Sequence, residues 1–181
     1  MPLQNRVTPS GDIVALAGRG TLTGNRGIIH NADKQIVRQW QVKRWIACAL
    51  EFRGRKREVL QPNRWTHLFF LDEATAFSAG HRPCAECRNA DYKRFRALWE
   101  SVYGATSGAD EIDAVLHANR VDTHRKRTYH APIDALPDGS GLADFCFEGA
   151  NAADAVFVED VDHPTKGDVD AFRCSEGFRV G

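Results

Sequence analysis

Apolar residues in the first 71 positions cluster in short runs separated by charged residues and turn signals. Aliphatic, β-branched and aromatic side chains dominate residues 13–16, 35–52 and 65–71, a composition typical of strands. The turn at residues 53–56 can close a hairpin onto residues 58–60. We therefore predict short strands and hairpins in this half of the chain.

The spacing of apolar residues changes to a helical period after Asp72. Asp72 is a good N-cap for a short helix that ends at Gly80. Asn89 can cap a second helix that runs to about Tyr103, and a third helix is predicted from about residue 110 to 119. The second helix carries an apolar stripe made of Tyr92, Phe95, Leu98, Trp99 and Val102.

Charge is distributed unevenly along the chain, although the formal net charge is zero. Residues 1–130 hold 21 Lys and Arg and 13 Asp and Glu, a net of +8, whereas residues 131–181 hold 3 and 11, a net of −8. We predict an α+β fold of twisted antiparallel strands and hairpins with two or three helices. Residues 1–130 would form a basic core and residues 131–181 an acidic C-terminal extension packed on it, with a single compact domain as the alternative.

The composition favours a cytoplasmic protein. No apolar run reaches the roughly 18–20 residues of a membrane span, and the first residues lack the apolar stretch of a signal peptide. The chain has five cysteines, and an odd count without a signal peptide argues against a secreted disulfide framework. We predict no membrane partner.

The sequence Cys84-Ala85-Glu86-Cys87 places two sulfurs on one tight turn. Thiolates with this spacing bind Zn²⁺ at about 2.3 Å each in a tetrahedral site. The predicted helix that starts at Asn89 would favour their negative charge through its dipole. The same spacing is also compatible with thioredoxin-like redox chemistry.

The segment from Thr66 to Cys87 resembles the second half of the zinc-binding, methyl-phosphotriester repair module of the DNA-repair protein Ada. A strand, a short alanine-rich helix, a glycine, Arg-Pro and the two cysteines follow in the same order over about 22 residues. In that family four cysteines hold the zinc, and the first two form a Cys-x-x-x-Cys pair upstream. Cys48 matches the first of these, but Phe52 stands where the second would be.

The resemblance implies a zinc site with Cys48, Cys84 and Cys87 as ligands and a fourth ligand of another kind. We predict His81 in that role. It also implies that Cys48 is the position to test for methyl transfer from a DNA phosphotriester. The alternatives for the fourth ligand are His67, His30, Cys146 and Cys174.

Residues 38–57 hold seven basic side chains and one acid, together with Trp40 and Trp45. Basic side chains neutralise phosphates, and aromatic rings stack on bases. The alternative is a solvated strand face with buried tryptophans. The residues predicted to contact nucleic acid are Trp40, Lys43, Arg44, Arg53, Arg55, Lys56, Arg57 and Arg82.

A second group of basic and histidine residues lies between His117 and His130. If this segment is helical, His117, Arg120, His124 and Arg127 share one face. His117 or His124 could then act as a general base on a phosphate ester. The alternative is a solvated basic helix end.

Three functions follow from these patterns. The first is a zinc-stabilised protein that binds nucleic acid, DNA in the first place, with a role in DNA repair or damage response implied by the resemblance to Ada. The second is a metal-dependent nuclease that uses the segment from His117 to His130. The third is a non-enzymatic structural or interaction protein, so the sequence is compatible both with an enzyme and with a binding protein.

Overall fold

The computed structural model describes residues 1–55, 58–104, 107–123 and 125–127, and three further short strands between residues 129 and 157. It contains a six-stranded sheet, a three-stranded sheet and three helices. This confirms the predicted α+β class and the predicted helices.

The strands of the main sheet are β1 Arg6–Val7, β2 Ile13–Val14, β3 Leu22–Asn25, β4 Ile46–Ala49, β5 Leu68–Phe70 and β6 Arg82–Pro83. They lie in the order β2-β1-β5-β3-β4-β6. Most neighbours are antiparallel, but β1 pairs with β5 and β4 pairs with β6 in parallel. The sheet is therefore mixed, which corrects the prediction of antiparallel strands.

The strands of the smaller sheet are β7 Tyr129–Ala131, β8 Leu142–Ala143 and β9 Ala155–Phe157. This sheet is antiparallel and has the order β7-β9-β8. The predicted division after residue 130 falls within β7, and the separation into a core and an acidic extension stays a prediction.

The helices are α1 Glu73–Ser78, α2 Asn89–Tyr103 and α3 Ala109–Arg120. Asp72 caps α1, because its carboxylate accepts the Thr75 N–H at 2.7 Å. Gly104 ends α2 with a φ of 68°, in the left-handed region that glycine adopts readily. In the described part of the chain, no helix is both long and apolar enough to cross a bilayer.

The strand β3 lies between β4 and β5, and its register sorts the side chains of the sheet into two faces. Leu22 pairs with Ala49 and Phe70, and the next residue, Thr23, pairs with Cys48. Because side chains alternate along a strand, these two rows point to opposite faces. One face packs in the main core, formed by Val7, Ile13, Ile29, Ala47, Leu68, Phe70, Ala76 and Ala79. The other face carries Cys48.

The region predicted as a long hairpin, residues 35–60, contains only one of the named strands, β4. Upstream of it, the Gln41 and Val42 N–H groups donate to the Arg26 carbonyl at 2.9 and 3.2 Å instead of to a partner strand. Downstream, residues 58–60 do not form the predicted strand, and Leu60 has a left-handed φ of 56°, which extended backbone does not allow.

The helix α3 does not continue beyond Arg120. The Arg127 N–H donates to the Arg120 carbonyl at 2.8 Å, and Val121 forms a bridge to Lys126, so the chain reverses direction after α3. His117 and Arg127 therefore do not share a helical face, which corrects that expectation. His124 lies outside the described residues.

Candidate metal centre

Three cysteines that are distant in sequence come together beside the main sheet. The sulfurs of Cys48, Cys84 and Cys87, here called the cysteine cluster, lie within 4.8 Å of one another. Cys48 is on β4, and the other two follow β6. Three thiolates at this spacing form a group of donors that can hold a metal such as zinc.

Backbone hydrogen bonds between β4 and β6 bring the cysteines into register. The Arg82 N–H donates to the Trp45 carbonyl at 3.1 Å, and the Cys84 N–H donates to the Ala47 carbonyl at 2.9 Å. Cys84 therefore lies beside Cys48 because the two strands are parallel neighbours.

The turn that carries Cys84 and Cys87 leads directly into α2. The Arg88 N–H closes this turn on the Cys84 carbonyl at 3.0 Å, and the Asn89 side chain donates to the Ala85 carbonyl at 2.8 Å. The N-terminal end of α2 thus lies next to the sulfurs, where its dipole favours negative charge.

The three thiols have different protonation preferences. A hydrogen bond from the Cys48 thiol, together with backbone N–H groups of Cys87 and Glu86, lowers the pKa of Cys84 to about 5 despite its burial. The pKa of Cys48 is raised because its proton is shared with Cys84 and because the residue is buried. Burial also raises the pKa of Cys87. One thiolate is thus already favoured at neutral pH, and a bound cation would favour the other two.

The spacing fits tetrahedral zinc coordination. Sulfurs bound to one Zn²⁺ at about 2.3 Å would lie about 3.8 Å apart, which is within the observed limit of 4.8 Å. Among the described residues the group has three members. The coarse prediction of a metal-binding cysteine group is therefore supported, and the identity of the metal stays a proposal.

Two cavities adjoin the cysteine cluster. The smaller has a volume of about 160 Å³ and includes His67 in its wall, and the larger has a volume of about 250 Å³ and includes Trp65. Cys48 and Cys87 line both cavities, as do Phe52 and Arg55. The cysteine cluster therefore borders both cavities, with Cys87 half-buried and Cys48 and Cys84 buried.

His81 is not part of the cysteine cluster, which corrects its prediction as the fourth ligand. Its ring is buried, lies 4.6 Å from the ring of Phe70 between centroids and 5.4 Å from that of Trp45, and accepts a hydrogen bond from Arg26 Nε at Nε2. Burial, reinforced by the charges of Arg26 and Arg120, holds the pKa of His81 well below its usual value. The side chain is thus a neutral member of the core.

The other predicted fourth ligands differ in position. His30 is engaged elsewhere, because its ring nitrogens lie 2.6 Å from Thr66 Oγ1 and 3.1 Å from the Gln61 carbonyl oxygen. His67 lines the smaller cavity together with Cys48 and Cys87. Cys146 and Cys174 lie outside the described residues.

The residues predicted to contact nucleic acid fall into two groups. Lys43, Arg44, Arg53 and Arg55 are exposed, and Arg44 and Arg55 line the larger cavity. Trp40 is half-buried, with its ring 5.9 Å from Trp45 and 5.8 Å from His117 between centroids. Lys56 and Arg57 lie outside the described residues.

Arg82 does not belong to this exposed surface, which corrects its prediction as a nucleic-acid contact. Its side chain is 2% exposed and donates from Nε and Nη2 to the two carboxylate oxygens of Asp113 at 2.8 and 2.7 Å. The guanidinium is therefore neutralised inside the protein.

The predicted nuclease group is also rearranged. His117 is half-buried against Trp40 and Trp45, and burial and the neighbouring charges of Arg120 and Lys43 lower its pKa. Arg120 is buried and donates to the Gly80 carbonyl at 2.6 Å and to the Lys43 carbonyl. Its guanidinium is thus used inside the fold.

Two cavity residues were missed by sequence reasoning. Asn25 ends β3, and Trp65 precedes β5 and is 54% exposed. Both line the larger cavity. The sequence placed Trp65 in a predicted strand over residues 65–71, whereas β5 begins only at Leu68. The approach of Asn25 depends on the order of the strands.

No family model, curated protein or solved structure matches the chain. The resemblance to the Ada module therefore depends on the sequence of residues 66–87, with Cys48 as the upstream match. The structural support for a metal site comes independently from the geometry of the cysteine cluster.

Proposed function

We propose that this protein binds Zn²⁺ at the cysteine cluster and binds nucleic acid, DNA in the first place, through exposed basic residues beside it. These residues are Lys43, Arg44, Arg53 and Arg55. The observation that carries the metal part of the proposal is the convergence of three sulfurs within 4.8 Å. The resemblance to Ada adds a role in DNA repair or damage response to the same proposal.

The metal would connect parts of the fold that are distant in sequence. Cys48 is on β4, whereas Cys87 is two residues before α2. Coordination by both would fix the start of α2 against the sheet, and the free energy of metal binding would add to the stability of the fold.

The nucleic-acid part of the proposal is supported by exposed basic residues close to the cysteine cluster. Arg44 and Arg55 share the larger cavity with Cys48 and Cys87. Arg53 and Arg55 lie 4.9 and 5.3 Å from the centre of the Phe52 ring. Exposed basic side chains beside the cavity, such as Arg53, can neutralise the phosphates of a strand that lies outside it.

Metal analysis of the purified protein tests the first part. We expect about one zinc per chain in the wild type and a large loss in Cys84→Ser, which removes one of three sulfurs. Glu86→Gln is the matched control. Glu86 lies on the same turn, but its carboxylate pairs with Arg55 at 2.7 Å and is not part of the cysteine cluster. Equal zinc content in the wild type and Cys84→Ser would contradict the proposed site.

The salt dependence of DNA binding tests the second part. Each phosphate contact to a single strand contributes about 0.7 to the slope of log affinity against log salt. Replacing Arg44 and Arg53 by Ala should therefore lower the slope by about 1.4. Replacing Lys93 and Arg94, which are exposed on α2 and line neither cavity, should leave it unchanged. An affinity that does not vary with salt would contradict phosphate contact.

A further inference from the structure

We infer that the larger cavity beside the cysteine cluster receives a single unpaired nucleobase, so that the ligand is single-stranded nucleic acid. This inference rests on the proposed function, because it names the form of nucleic acid that the same surface binds. Four features support it: the size of the cavity, its aromatic residues, its balance of charge and a buried amide in its wall.

The size and the aromatic walls of the cavity suit a flat ring. Its volume of about 250 Å³ is below the range of about 300–1,000 Å³ that is typical for drug-sized ligands. Trp65 is 54% exposed and Phe52 is half-buried, and both line the cavity. An exposed indole at a cavity wall is a stacking surface for any base, since every base has a π-face.

The charges that line the cavity favour an uncharged group inside it. Arg82 is neutralised by Asp113, and Arg55 pairs with Glu86 at 2.7 Å.

The two other charged side chains in the wall, Arg44 and Asp110, have opposite signs. Three thiolates around one Zn²⁺ would add a net negative charge. A phosphate would therefore be repelled from the interior, whereas a neutral base would not be. The phosphates would lie outside, next to the exposed Lys43 and Arg53.

Asn25 gives the cavity a polar group that can contact the edge of a base. Its side chain is 8% exposed, and its Oδ1 accepts the Gly27 N–H at 3.3 Å. Asn25 lines the cavity, and the NH₂ group of its amide can act as a hydrogen-bond donor. Ring nitrogens and carbonyl oxygens of bases are suitable acceptors.

A base can enter such a cavity only when it is not stacked inside a duplex. Extruding a paired base costs a few kcal/mol, whereas a base in a single strand is already accessible. The cavity therefore predicts a preference for single strands over duplexes of the same sequence.

Fluorescence anisotropy with three labelled probes tests this inference. The probes are a single-stranded oligonucleotide, its duplex, and an abasic strand of the same length that keeps the phosphates and lacks the bases. We expect the single strand to bind most tightly and the abasic strand to bind clearly more weakly. Stacking of one base contributes about 1–3 kcal/mol, so Trp65→Ala should weaken single-strand binding about 5- to 150-fold.

Two further variants control for other effects of the substitution. Trp65→Phe keeps an aromatic face and should retain most of the affinity. Leu98→Ala removes a side chain on α2 that is 52% exposed, similar to Trp65, and lies outside both cavities, so it should bind as the wild type does.

The outcomes separate this inference from the proposed function. Salt-dependent binding with equal affinity for the intact and abasic strands, or with no effect of Trp65→Ala, would overturn base insertion and leave phosphate binding in place. Tighter binding of the duplex than of the single strand would also overturn base insertion and leave phosphate binding in place. An absence of salt-dependent binding to all three probes would overturn the proposed nucleic-acid binding and this inference together.

Discussion

His81 lies three residues before Cys84, yet it occupies a different environment. Its ring is 1% exposed and accepts a hydrogen bond from Arg26, while Arg26 and Arg120 both stack on Trp45, at 4.1 and 4.2 Å from the ring centre. A protonated His81 would add a third buried positive charge to this group. The fold therefore stabilises the neutral ring.

The burial of His81 predicts a loss of stability at acidic pH. The unfolded chain takes up a proton on this side chain at about pH 6.5, whereas the folded protein does so only at a much lower pH, because its pKa is lowered by burial. Acidification below about pH 6.5 thus favours the unfolded state, by up to about 1.4 kcal/mol per pH unit. Above that pH the contribution is constant. Urea denaturation at a series of pH values measures it.

The control for this experiment is His81→Gln, which keeps a hydrogen-bond acceptor and removes the titration. The variant should show a shallower fall in the free energy of unfolding below about pH 6.5. His117, whose pKa is also lowered, titrates in both proteins and cancels in the comparison. Identical slopes would show that His81 is already protonated in the fold or does not control the acid transition.

At the scale of elements, one buried ion pair connects the strand before the cysteines to a distant helix. Arg82 on β6 and Asp113 on α3 are 2% and 3% exposed, and they form two hydrogen bonds. By contrast, Arg96 and Glu100 form a pair at 3.0 Å on α2 with 39% and 35% exposure. The two pairs should therefore differ in their contribution to stability.

Breaking the buried pair should destabilise the protein strongly. Asp113→Ala leaves the Arg82 charge buried without a partner, and such a loss costs about 3–5 kcal/mol. Glu100→Ala should cost less than about 1 kcal/mol, because water solvates the remaining guanidinium. Urea denaturation of both variants in the presence of zinc measures the difference. Equal losses in the two variants would show that Arg82 gains access to water when Asp113 is removed.

The elements with local signals are the ones that the sequence predicted correctly. Asp72 and the apolar period of α2 act within a few residues, so the helices are found from short windows. The parallel pairs join residues that are distant in sequence, such as Arg6 with Phe69 in β1 and β5 and Ile46 with Arg82 in β4 and β6, and no local pattern indicates them. This is why the prediction named antiparallel strands and did not include the parallel pairs.

The same difference between local signals and long-range contacts explains which residues of the candidate site were predicted correctly. The spacing of Cys84 and Cys87 identifies them as a pair, and the resemblance to Ada pointed to Cys48. The prediction of His81 failed because the chain is extended at β6, where successive side chains alternate in direction. Residues 81 and 84 differ by an odd number, so they face opposite sides, whereas Arg82 lines the larger cavity together with Cys84.

At the scale of the whole molecule, a bound zinc would act as a cross-link between the sheet and α2. A ligand at about 100 times its dissociation constant stabilises a fold by about 2.7 kcal/mol. For a chain of this size, each kcal/mol shifts the melting temperature by about 2–4 °C. Chelation should therefore lower the melting temperature by about 5–10 °C, and addition of zinc should restore it. Thermal melts followed by circular dichroism measure the shift.

The variant Cys84→Ser gives the matching control for the melting experiment. It should melt at a lower temperature than the zinc-loaded wild type and should not respond to the chelator. If the chelator lowers the melting temperatures of both proteins by the same amount, the metal that it removes is bound outside the cysteine cluster.

The bonds that align β4 with β6 have one more consequence. The Cys84 N–H bond to the Ala47 carbonyl and the Arg82 N–H bond to the Trp45 carbonyl are main-chain contacts, and neither needs an ion to form. Three thiolates that the main chain already holds close together discriminate poorly between Zn²⁺ and other thiophilic cations such as Cu⁺. The occupant would then reflect which of these metals the surroundings supply, more than any preference imposed by the polypeptide.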